Sequence, residues 1–304
     1  MGGKLVITGS NGLLGQKLVN LFSQLDSFEV TAISRGDDRN ETAKNYTYKS
    51  IDITDHIKLN TLLDDVKPNY IINCAAMTNV DQCEKEQVEC DKINVDALKV
   101  IAKATKKHHS HLIHISTDFI FDGENGPYSE EDKPNPINYY GLSKLKGELI
   151  LKEAQINYTI LRTILVYGLV DNMSKNNIVS WIKNGVENKQ TLTIVNDQFR
   201  MPTLVDDLAE ACFLAIKNTA YGIFNVSSSE LLSIYEAALQ VAEAFNLDTS
   251  YIESIPTSQL KQPAKRPSKT GFDLSKSEKI LKLPIVTFKN QLQVFKNQLL
   301  KLEQ

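Results

Sequence analysis

A tyrosine and a lysine four residues apart, Tyr140 and Lys144, form the pair in this sequence best suited to moving a proton. In an α-helix, residues at i and i+4 lie on one face, about 6 Å apart along the axis. A free phenol has a pKa of about 10 and is a poor acid or base at neutral pH, whereas a nearby ammonium group lowers that pKa. The spacing therefore predicts a general acid–base tyrosine activated by its lysine.

The position of this pair makes it informative, since the spacing alone also arises often by chance. The pair opens a predicted helix over residues 139–154, which follows a predicted buried strand over residues 111–116. That strand runs into Thr117, and ligands bind at the carboxyl ends of strands in parallel sheets. We expect the Thr117 hydroxyl to orient a carbonyl group while Tyr140 protonates it and a nicotinamide cofactor delivers a hydride.

Three glycines, Gly9, Gly12 and Gly15, lie where the first predicted strand ends and the first predicted helix begins. Glycine permits a tight turn and a close backbone approach, and a helix N-terminus attracts a pyrophosphate through free N–H groups and positive potential. The spacing is Gly-x-x-Gly-x-x-Gly, and the alternative of a glycine-rich turn without a ligand stays open. We expect the cofactor to contact these glycines and three residues between them, which are Asn11, Leu13 and Leu14.

The end of the second predicted strand bears on the choice between NAD and NADP. An acidic residue there would bind the ribose 2′-hydroxyl, whereas a basic residue would accommodate a 2′-phosphate. Here Ser34 and Arg35 end the strand, and the first acid is Asp37. We therefore expect NADPH to be preferred over NADH. The alternative is that Arg35 is a solvated surface charge.

Short β-branched runs alternate with helical patterns in the first half of the chain. Apolar side chains recur on one helical face in residues 13–25 and again in residues 93–106. The alternation of strand and helix predicts right-handed crossovers and helices on both faces of a parallel sheet. The runs expected to form strands are residues 4–8, 29–34, 46–51, 70–73, 111–116 and 158–167.

The fold class predicted from this pattern is α/β, a Rossmann-like doubly wound parallel sheet with a smaller C-terminal substrate lobe. Residues 1–168, rejoined by residues 202–226, are expected to form the dinucleotide-binding domain. The substrate-binding lobe is expected from residues 169–201 and 227–304, in which residues 255–270 would be an extended surface loop.

Composition excludes several classes of protein. The 304 residues carry 34 lysines and arginines against 37 aspartates and glutamates, so the basic excess of a nucleic-acid-binding protein is missing. No apolar run approaches the roughly 18 residues of a membrane span, and no signal-peptide pattern opens the chain. Four irregularly spaced cysteines predict reduced thiols in a cytoplasmic protein, without a disulfide framework or zinc site; they are Cys74, Cys83, Cys90 and Cys212.

Further motifs continue almost to the C-terminus. With the glycine turn, they comprise residues 73–76, Asn94, 116–123, 134–136, Tyr140 with Lys144, 161–163 with 166–168, 197–198 with 202–203, and 266–267 with Asp273. Together they resemble the extended short-chain dehydrogenase/reductase superfamily. Within it, they are most similar to the dTDP-4-dehydrorhamnose reductase family.

The resemblance implies roles for individual residues. Thr117, Tyr140 and Lys144 would be catalytic, and the last two would also contact the cofactor. Asn94 would lie behind the site, unless it only packs inside its helix, and Arg266 would bind a diphosphate, unless it belongs to a solvated basic loop. The remaining implied contacts are Cys74, Ala75, Ala76 and Asn94 with the cofactor, Asp52 and Ile53 with its adenine, and Thr78, Asp118, Gln198 and Arg266 with the substrate.

Three positions depart from the family pattern. An aromatic residue for the substrate is missing from residues 162–165, and Arg200 stands where the family has a glycine. Gln16 occupies a position where some members have a glutamate that binds magnesium between subunits. We therefore expect no metal, and the identity of the nucleotide and the sugar stays open.

Three functions fit these motifs. The first is NAD(P)H-dependent reduction of a nucleotide-linked 4-keto-sugar, most like the conversion of dTDP-4-dehydrorhamnose to dTDP-L-rhamnose. The second is a nucleotide-sugar epimerase or dehydratase, although Phe119 stands where dehydratases have a glutamate that helps to eliminate water. The third is a non-catalytic NADP-binding protein, like the regulatory subunit of methionine adenosyltransferase, against which the intact catalytic residues argue. We expect the first function, that of a cytoplasmic oxidoreductase with a small nucleotide-sugar substrate. The motifs are also compatible with a homodimer.

Overall fold

The computed structural model of the chain describes residues 2–172 and 177–302. Its strands are β1 (Gly3–Thr8), β2 (Phe28–Ser34), β3 (Tyr46–Ser50), β4 (Tyr70–Asn73), β5 (His111–Thr117), β6 (Asn157–Thr163), β7 (Val166–Tyr167), β8 (Leu192–Val195), β9 (Phe199–Arg200), β10 (Thr203–Leu204), β11 (Gly222–Val226), β12 (Leu232–Ser233) and β13 (Ile252–Ile255). Its α-helices are α1 (Leu13–Ser23), α2 (His56–Val66), α3 (Val80–Lys85), α4 (Gln87–Asp91), α5 (Ala97–His108), α6 (Tyr139–Glu153), α7 (Ile178–Glu187), α8 (Val205–Lys217), α9 (Ile234–Phe245) and α10 (Phe288–Leu302).

Seven of these strands form one parallel sheet in the order β11-β6-β5-β4-β1-β2-β3. Side chains of α1 and α8 form a buried core with one face of the sheet, and those of α2, α5 and α6 form a second core with the other face. The predicted doubly wound parallel sheet is therefore confirmed. The strand order reverses between β1 and β4, and in such sheets ligands bind outside the carboxyl ends of the strands at this point.

The turn between β1 and α1 requires glycine at two positions. Gly9 has a φ of +67°, and a Cβ there would lie 2.8 Å from the Ala75 nitrogen. A Cβ at Gly15 would collide with the carbonyl oxygen of Gly9. Helix α1 begins after Gly12 without any side-chain cap, so its first N–H groups keep no side-chain acceptor there.

The start of α6 is fastened to the turn that follows β5. Asn138 caps the helix by accepting a hydrogen bond from the Gly141 nitrogen at 2.8 Å. A side chain at position 141 would collide with the carbonyl oxygen of Phe119, so glycine lets the helix approach that turn closely. This contact brings the first turn of α6 against the carboxyl end of β5.

A smaller core lies among later segments. It contains buried side chains of α7, β8, α9 and α10, and β8 pairs in parallel with β13. The predicted division into two lobes stays a prediction, although residues 222–226 do add a strand to the large sheet. Residues 1, 173–176 and 303–304 of the predicted lobes lie outside the described residues. Within residues 2–172 and 177–302, no helix has the length and apolar character needed to cross a membrane.

The strand predicted over residues 158–167 is wrong in its continuity. The backbone at Leu165 has a φ of +43°, which an extended strand cannot contain. The chain therefore leaves the large sheet after Thr163, and β7 pairs instead with β10.

Two further local predictions needed correction. The helix predicted over residues 93–106 begins with a π-helical turn, Lys92–Asp96, before α5. The loop predicted over residues 255–270 is not wholly on the surface, because Ala264 and Thr270 are buried. Helix α2 was absent from the sequence prediction, although Asp55 caps it and its leucines 59, 62 and 63 are buried.

Candidate active site

Three predicted catalytic side chains meet at the carboxyl end of β5. Thr117, the last residue of that strand, is 6% exposed, and its hydroxyl lies near the phenol of Tyr140 in the first turn of α6. The ring of Tyr140 also makes an edge contact with Phe119, with centroids 6.0 Å apart. Lys144 lies one turn further along α6 and is 3% exposed. The structure thus brings a phenol, a hydroxyl and an amine together beside the glycine turn.

Burial dominates the electrostatics of this pair. It raises the pKa of Tyr140, and the nearby Asp118 carboxylate adds to the rise, while the hydrogen bond with Thr117 opposes it. The net shift is therefore a rise, and the lowered pKa of Tyr140 predicted from the sequence is wrong. Burial also lowers the pKa of Lys144 to about 8, and its Nζ lies 3.2 Å from Nε2 of His114.

A fully buried ion pair lies one further turn along α6. The carboxylate of Glu148 accepts hydrogen bonds from Arg162 at 2.8 and 3.0 Å and from the Ser116 hydroxyl at 2.7 Å. A buried charge is tolerated only with such partners. The negative charge of Glu148 favours the ammonium form of Lys144 and so opposes the fall in its pKa.

Asp118 links the end of β5 to the segment around residue 270. Its carboxylate accepts hydrogen bonds from the hydroxyls of Thr117 at 3.0 Å and Thr270 at 2.5 Å. Burial raises the pKa of Asp118, and Arg200, whose Nε lies 3.7 Å from Oδ2, opposes this rise. The predicted substrate contact at Asp118 stays a prediction; its carboxylate orients the Thr117 hydroxyl.

Arg200 occupies space at the site that a glycine would leave open. It is 4% exposed, and its guanidinium carbon lies 5.4 Å from the centroid of the Phe119 ring. Its guanidinium donates hydrogen bonds of 2.7 Å to the carbonyl oxygens of Phe199 and Pro267. Arg200 therefore fastens β9 to the segment that carries Pro267, close to Thr117.

The glycine turn has the features that a pyrophosphate requires. The Ser10 hydroxyl is fully buried without a hydrogen-bond partner among the described residues, and the N-terminus of α1 has no side-chain cap. Leu13 and Leu14 form the start of the same helix. An orphaned hydroxyl beside free helical N–H groups fits an anionic ligand.

Gln16 lies on the buried side of this turn. Its side-chain amide donates a hydrogen bond of 3.2 Å to the carbonyl oxygen of Asn11 and is fully buried. Across the described ranges, no group of three or more histidine, cysteine, aspartate or glutamate side chains is arranged to hold a metal ion.

The loop after β2 is shaped by Asn11. The Asn11 side chain donates to the carbonyl oxygens of Arg35 and Asp37, at 3.2 and 2.8 Å, and accepts from the Arg39 nitrogen at 3.0 Å. Ser34 is partly buried at the end of the strand, whereas the Arg35 side chain is 75% exposed. The guanidinium of Arg35 lies 3.9 Å from the Asp52 carboxylate, so it stands at the rim of the turn.

The other predicted cofactor residues line the same edge of the sheet. Asp52 accepts hydrogen bonds from the nitrogen and hydroxyl of Thr54, at 2.9 and 2.8 Å, and Ile53 is buried. After β4, the three small residues Cys74, Ala75 and Ala76 are partly exposed, and the Ala75 nitrogen donates to Thr8. The backbone of Cys74 and Ala75 lies so close to Gly9 that a side chain at position 9 would collide with it.

Asn94 is engaged entirely by protein groups. Its side chain exchanges two hydrogen bonds with the backbone of Met77, at 2.8 and 3.1 Å, and donates to the Ser143 hydroxyl at 2.9 Å. Ser143 in turn donates to the carbonyl oxygen of Tyr140. Asn94 therefore joins the segment after β4 to the helix that carries Tyr140, which favours the packing alternative for this residue.

The predicted substrate residues lie in different settings. Thr78 is exposed, and Gln198 is buried with its amide donating to the Thr257 hydroxyl at 3.0 Å. Arg266 makes a bidentate ion pair with Asp81, at 2.9 and 2.7 Å, and its side chain is 15% exposed. The alternative of a solvated loop charge therefore does not describe Arg266.

Sequence reasoning missed His114, Asn73 and Glu148 behind the site. One signal was present: His114 and Ser116 are two residues apart in β5, so both project from the same face of a buried strand. Glu148 continues the i, i+4 spacing of Tyr140 and Lys144 along α6. Polar residues in two such buried rows indicate a polar network between strand and helix.

Comparisons with known proteins agree with this geometry. The chain matches the RmlD substrate binding domain family over residues 3–301. It is 31% identical over 285 residues to a dTDP-4-dehydrorhamnose reductase of Aggregatibacter actinomycetemcomitans, covering 90% of this chain and 91% of that protein. It is 32% identical over 280 residues to methionine adenosyltransferase 2 subunit beta of Bos taurus, covering 90% and 81%.

A solved structure of dTDP-4-dehydrorhamnose reductase from Bacillus anthracis, in complex with NADP, superposes with a TM-score of 0.84. It is 28% identical and covers 98% of this chain and 100% of that chain. Fold and site thus define an extended short-chain dehydrogenase/reductase. Since the family match spans nearly the full length, the chain belongs to the RmlD substrate binding domain family. The family resemblance and the oxidoreductase class predicted from sequence are confirmed.

Proposed function

We propose that this chain reduces a nucleotide-linked 4-keto-sugar with NADPH, most like the conversion of dTDP-4-dehydrorhamnose to dTDP-L-rhamnose. The observation that carries the proposal is the placement of Thr117, Tyr140 and the buried Lys144 together at the carboxyl end of β5. The similarity to dTDP-4-dehydrorhamnose reductases of two bacteria supports the choice of substrate class.

Each catalytic side chain has a role that its setting supports. The hydride that adds to the carbonyl carbon would come from bound NADPH. Tyr140 donates its phenolic proton to the carbonyl oxygen, which completes the alcohol, and its raised pKa keeps that proton in place beforehand. The Thr117 hydroxyl, which donates its one hydrogen to Asp118 in this structure, would turn that hydrogen to the carbonyl oxygen and so orient the carbonyl. Lys144 in its ammonium form stabilises the phenolate that remains.

The cofactor would lie along the glycine turn. Gly9, Gly12 and Gly15 would admit the pyrophosphate, the Ser10 hydroxyl would gain the partner it lacks, and Arg35 would approach a 2′-phosphate. Further contacts are proposed for Asn11, Leu13, Leu14, Ser34, Asp52, Ile53, Cys74, Ala75, Ala76, Tyr140 and Lys144.

The substrate would lie between this turn and the segment around residue 266. Thr78, Asp118 and Gln198 are proposed to contact the nucleotide-sugar. Arg266 would bind a diphosphate while keeping Asp81 as its partner, since a guanidinium has five donors. A cytoplasmic location and a homodimer stay predictions.

A second candidate function has support in the comparisons. The chain is about as similar to methionine adenosyltransferase 2 subunit beta as to the reductase of Aggregatibacter actinomycetemcomitans. A chain with that role would be a regulatory partner that binds NADP and reduces no substrate of its own. The catalytic side chains and the hydrogen bonds around them support a reductase, because a regulatory protein needs none of them.

One experiment separates the two candidates. Purified protein is given NADPH with a panel of dTDP-, GDP- and UDP-linked 4-keto-sugars, and NADPH oxidation is followed alongside NADPH binding. We expect turnover with at least one dTDP-sugar and a loss of about 10²–10⁴-fold in the Tyr140→Phe variant. Binding of NADPH without oxidation across the panel would contradict the reductase and favour the regulatory role.

A further inference from the structure

Three buried polar side chains on β1, β4 and β5 lead to Lys144, and the proposed reaction assigns none of the three a role. The Thr8 hydroxyl lies 2.6 Å from Asn73 Oδ1, and Asn73 Nδ2 lies 3.0 Å from His114 Nδ1. His114 Nε2 then lies 3.2 Å from Lys144 Nζ. All four residues are at most 4% exposed, so water does not replace these partners.

The direction of the hydrogen bonds in this series is fixed at Thr8. Its hydroxyl oxygen accepts from the Ala75 nitrogen at 3.2 Å, so its single hydrogen is free to go to Asn73 Oδ1. In the reversed amide orientation, both Ala75 and Asn73 would donate to this hydroxyl. Its hydrogen would then have no acceptor among the contacts that the described residues offer, which is unfavourable in a buried position.

The orientation of Asn73 determines the tautomer of His114. The Asn73 amide donates to Nδ1, so this nitrogen carries a lone pair. Burial and the neighbouring Lys144 hold the pKa of His114 well below its usual value, so the ring is neutral with its one proton on Nε2. That N–H can donate to Lys144 Nζ when the lysine is an uncharged amine, whereas it repels the ammonium form, which has no lone pair.

We propose that His114 is a positioning residue that presents its Nε2–H to Lys144, so that the ammonium form of the lysine finds no acceptor there and is directed toward Tyr140 and the cofactor. This inference rests on the proposed function for its catalytic consequence but not for its test. It assigns a role to Asn73 and Thr8 as well, because they select the tautomer.

The other groups that face Lys144 do not offer a better acceptor. They are Glu148 on its own helix, Cys74 after β4, Cys83 on α3 and Cys90 on α4. Glu148 already accepts from Arg162 and Ser116. In this proposal, an ammonium that cannot donate to His114 has Tyr140 and the cofactor as its partners.

The tautomer can be observed directly in the unmodified protein. Protein labelled with ¹⁵N-histidine gives ring signals for its five histidines, and the His114→Gln variant assigns those of His114. We expect a protonated Nε2 and an unprotonated Nδ1 from pH 6 to pH 9. A protonated Nδ1, or an imidazolium in this range, would overturn the proposal.

A substitution at Asn73 tests the consequence for the lysine. In Asn73→Asp the new carboxylate accepts from Nδ1–H, so the Nε2 lone pair faces Lys144 and accepts from its ammonium form. We expect the tautomer to reverse and the titration midpoint of Lys144, followed by ¹³C-lysine signals, to rise by about one pH unit or more. A Lys144→Arg variant assigns the lysine signal.

The double variant Asn73→Asp/His114→Phe is the matched control for the added charge. It keeps the carboxylate but has no ring to transmit the change, so we expect a clearly smaller rise. An equal rise would show that charge alone acts, which contradicts a positioning role. Should Asn73→Asp fail to fold, the tautomer of the unmodified protein decides the question. A chain with the expected tautomer that reduces no 4-keto-sugar would contradict the proposed function and leave this inference standing.

Discussion

The two ends of the proposed cofactor site are held in different ways. The catalytic corner, defined as Thr117, Tyr140, Lys144 and His114, is largely buried and joined by side-chain hydrogen bonds to the sheet and to α6. The loop of residues 35–39 is exposed, and Asn11 and Tyr48 hold it through its backbone. Side chains in the corner are buried and hydrogen-bonded, whereas the Arg35 side chain in the loop is exposed.

This difference separates residues that act on the reaction rate from residues that act on cofactor preference. Burial moves the pKa values of Tyr140 and Lys144 by removing water from them, which an exposed loop cannot do. An exposed arginine can still favour a cofactor with an additional phosphate, but with less energy because water screens its charge. We therefore expect substitutions in the corner to change rate, and those in the loop to change cofactor preference.

The largest expected effect is at Tyr140. Tyr140→Phe removes the group that protonates the carbonyl oxygen, so single-turnover reduction should fall by about 10²–10⁴-fold. NADPH affinity should stay within a small factor of the original. The neighbouring Tyr139→Phe is the control, because the Tyr139 hydroxyl contacts Asp91 and Lys146 outside the corner. Equal losses in both variants would refute the assignment.

The pH dependence of the rate of reduction should follow the protonation of Lys144. Its pKa of about 8 means that the ammonium form is present below that pH and is lost above it. Because the ammonium stabilises the phenolate, the rate of reduction should fall by about tenfold per pH unit above pH 8. A profile measured at saturating NADPH checks this, and a rate that stays level up to pH 10 would rule out the role.

The effect of Arg35 on cofactor preference should be smaller. We expect Arg35→Ala to weaken NADPH binding by about tenfold, equivalent to about 1.4 kcal/mol, and to leave NADH binding unchanged. This is at the lower end of the range for a charged hydrogen bond because the side chain is 75% exposed. Titration of both cofactors measures it, with the exposed Lys44→Ala as control. An unchanged preference would make Arg35 a surface charge.

The smallest effect is expected at Asp81, which pairs with Arg266 in the segment proposed to bind the substrate. Asp81→Asn weakens the ion pair with Arg266, whose partners are only partly buried, so kcat should change little. We expect KM for the nucleotide-sugar to rise by a few fold, roughly 1 kcal/mol or less. Steady-state kinetics would show this, and a kcat loss as large as that of Tyr140→Phe would place Asp81 in the catalytic corner instead.

Local patterns in the sequence predicted the parts of the site that depend on neighbours along the chain. The glycine turn and the Tyr140–Lys144 spacing are visible because strand, turn and helix follow one another directly. The role of Arg200 was not visible, because its contacts with Pro267 and Phe119 join segments far apart in sequence.

The same limit applies to electrostatics and to backbone breaks. The rise in the pKa of Tyr140 comes from burial, which a helical spacing does not report. The interruption at Leu165 arises because β7 pairs with β10, a partner that the local run of apolar residues cannot reveal. Tertiary packing therefore determines both the pKa of Tyr140 and the break in the strand at Leu165.

The separation between residues that act on rate and residues that act on cofactor preference is tested most directly by measuring two quantities on the same two variants. Single-turnover rate at saturating NADPH and the NADPH dissociation constant are determined for Tyr140→Phe and Arg35→Ala. We predict a large loss of rate with near-original affinity for Tyr140→Phe, and weaker affinity with near-original rate for Arg35→Ala. Rate and affinity falling together in both variants would contradict the account.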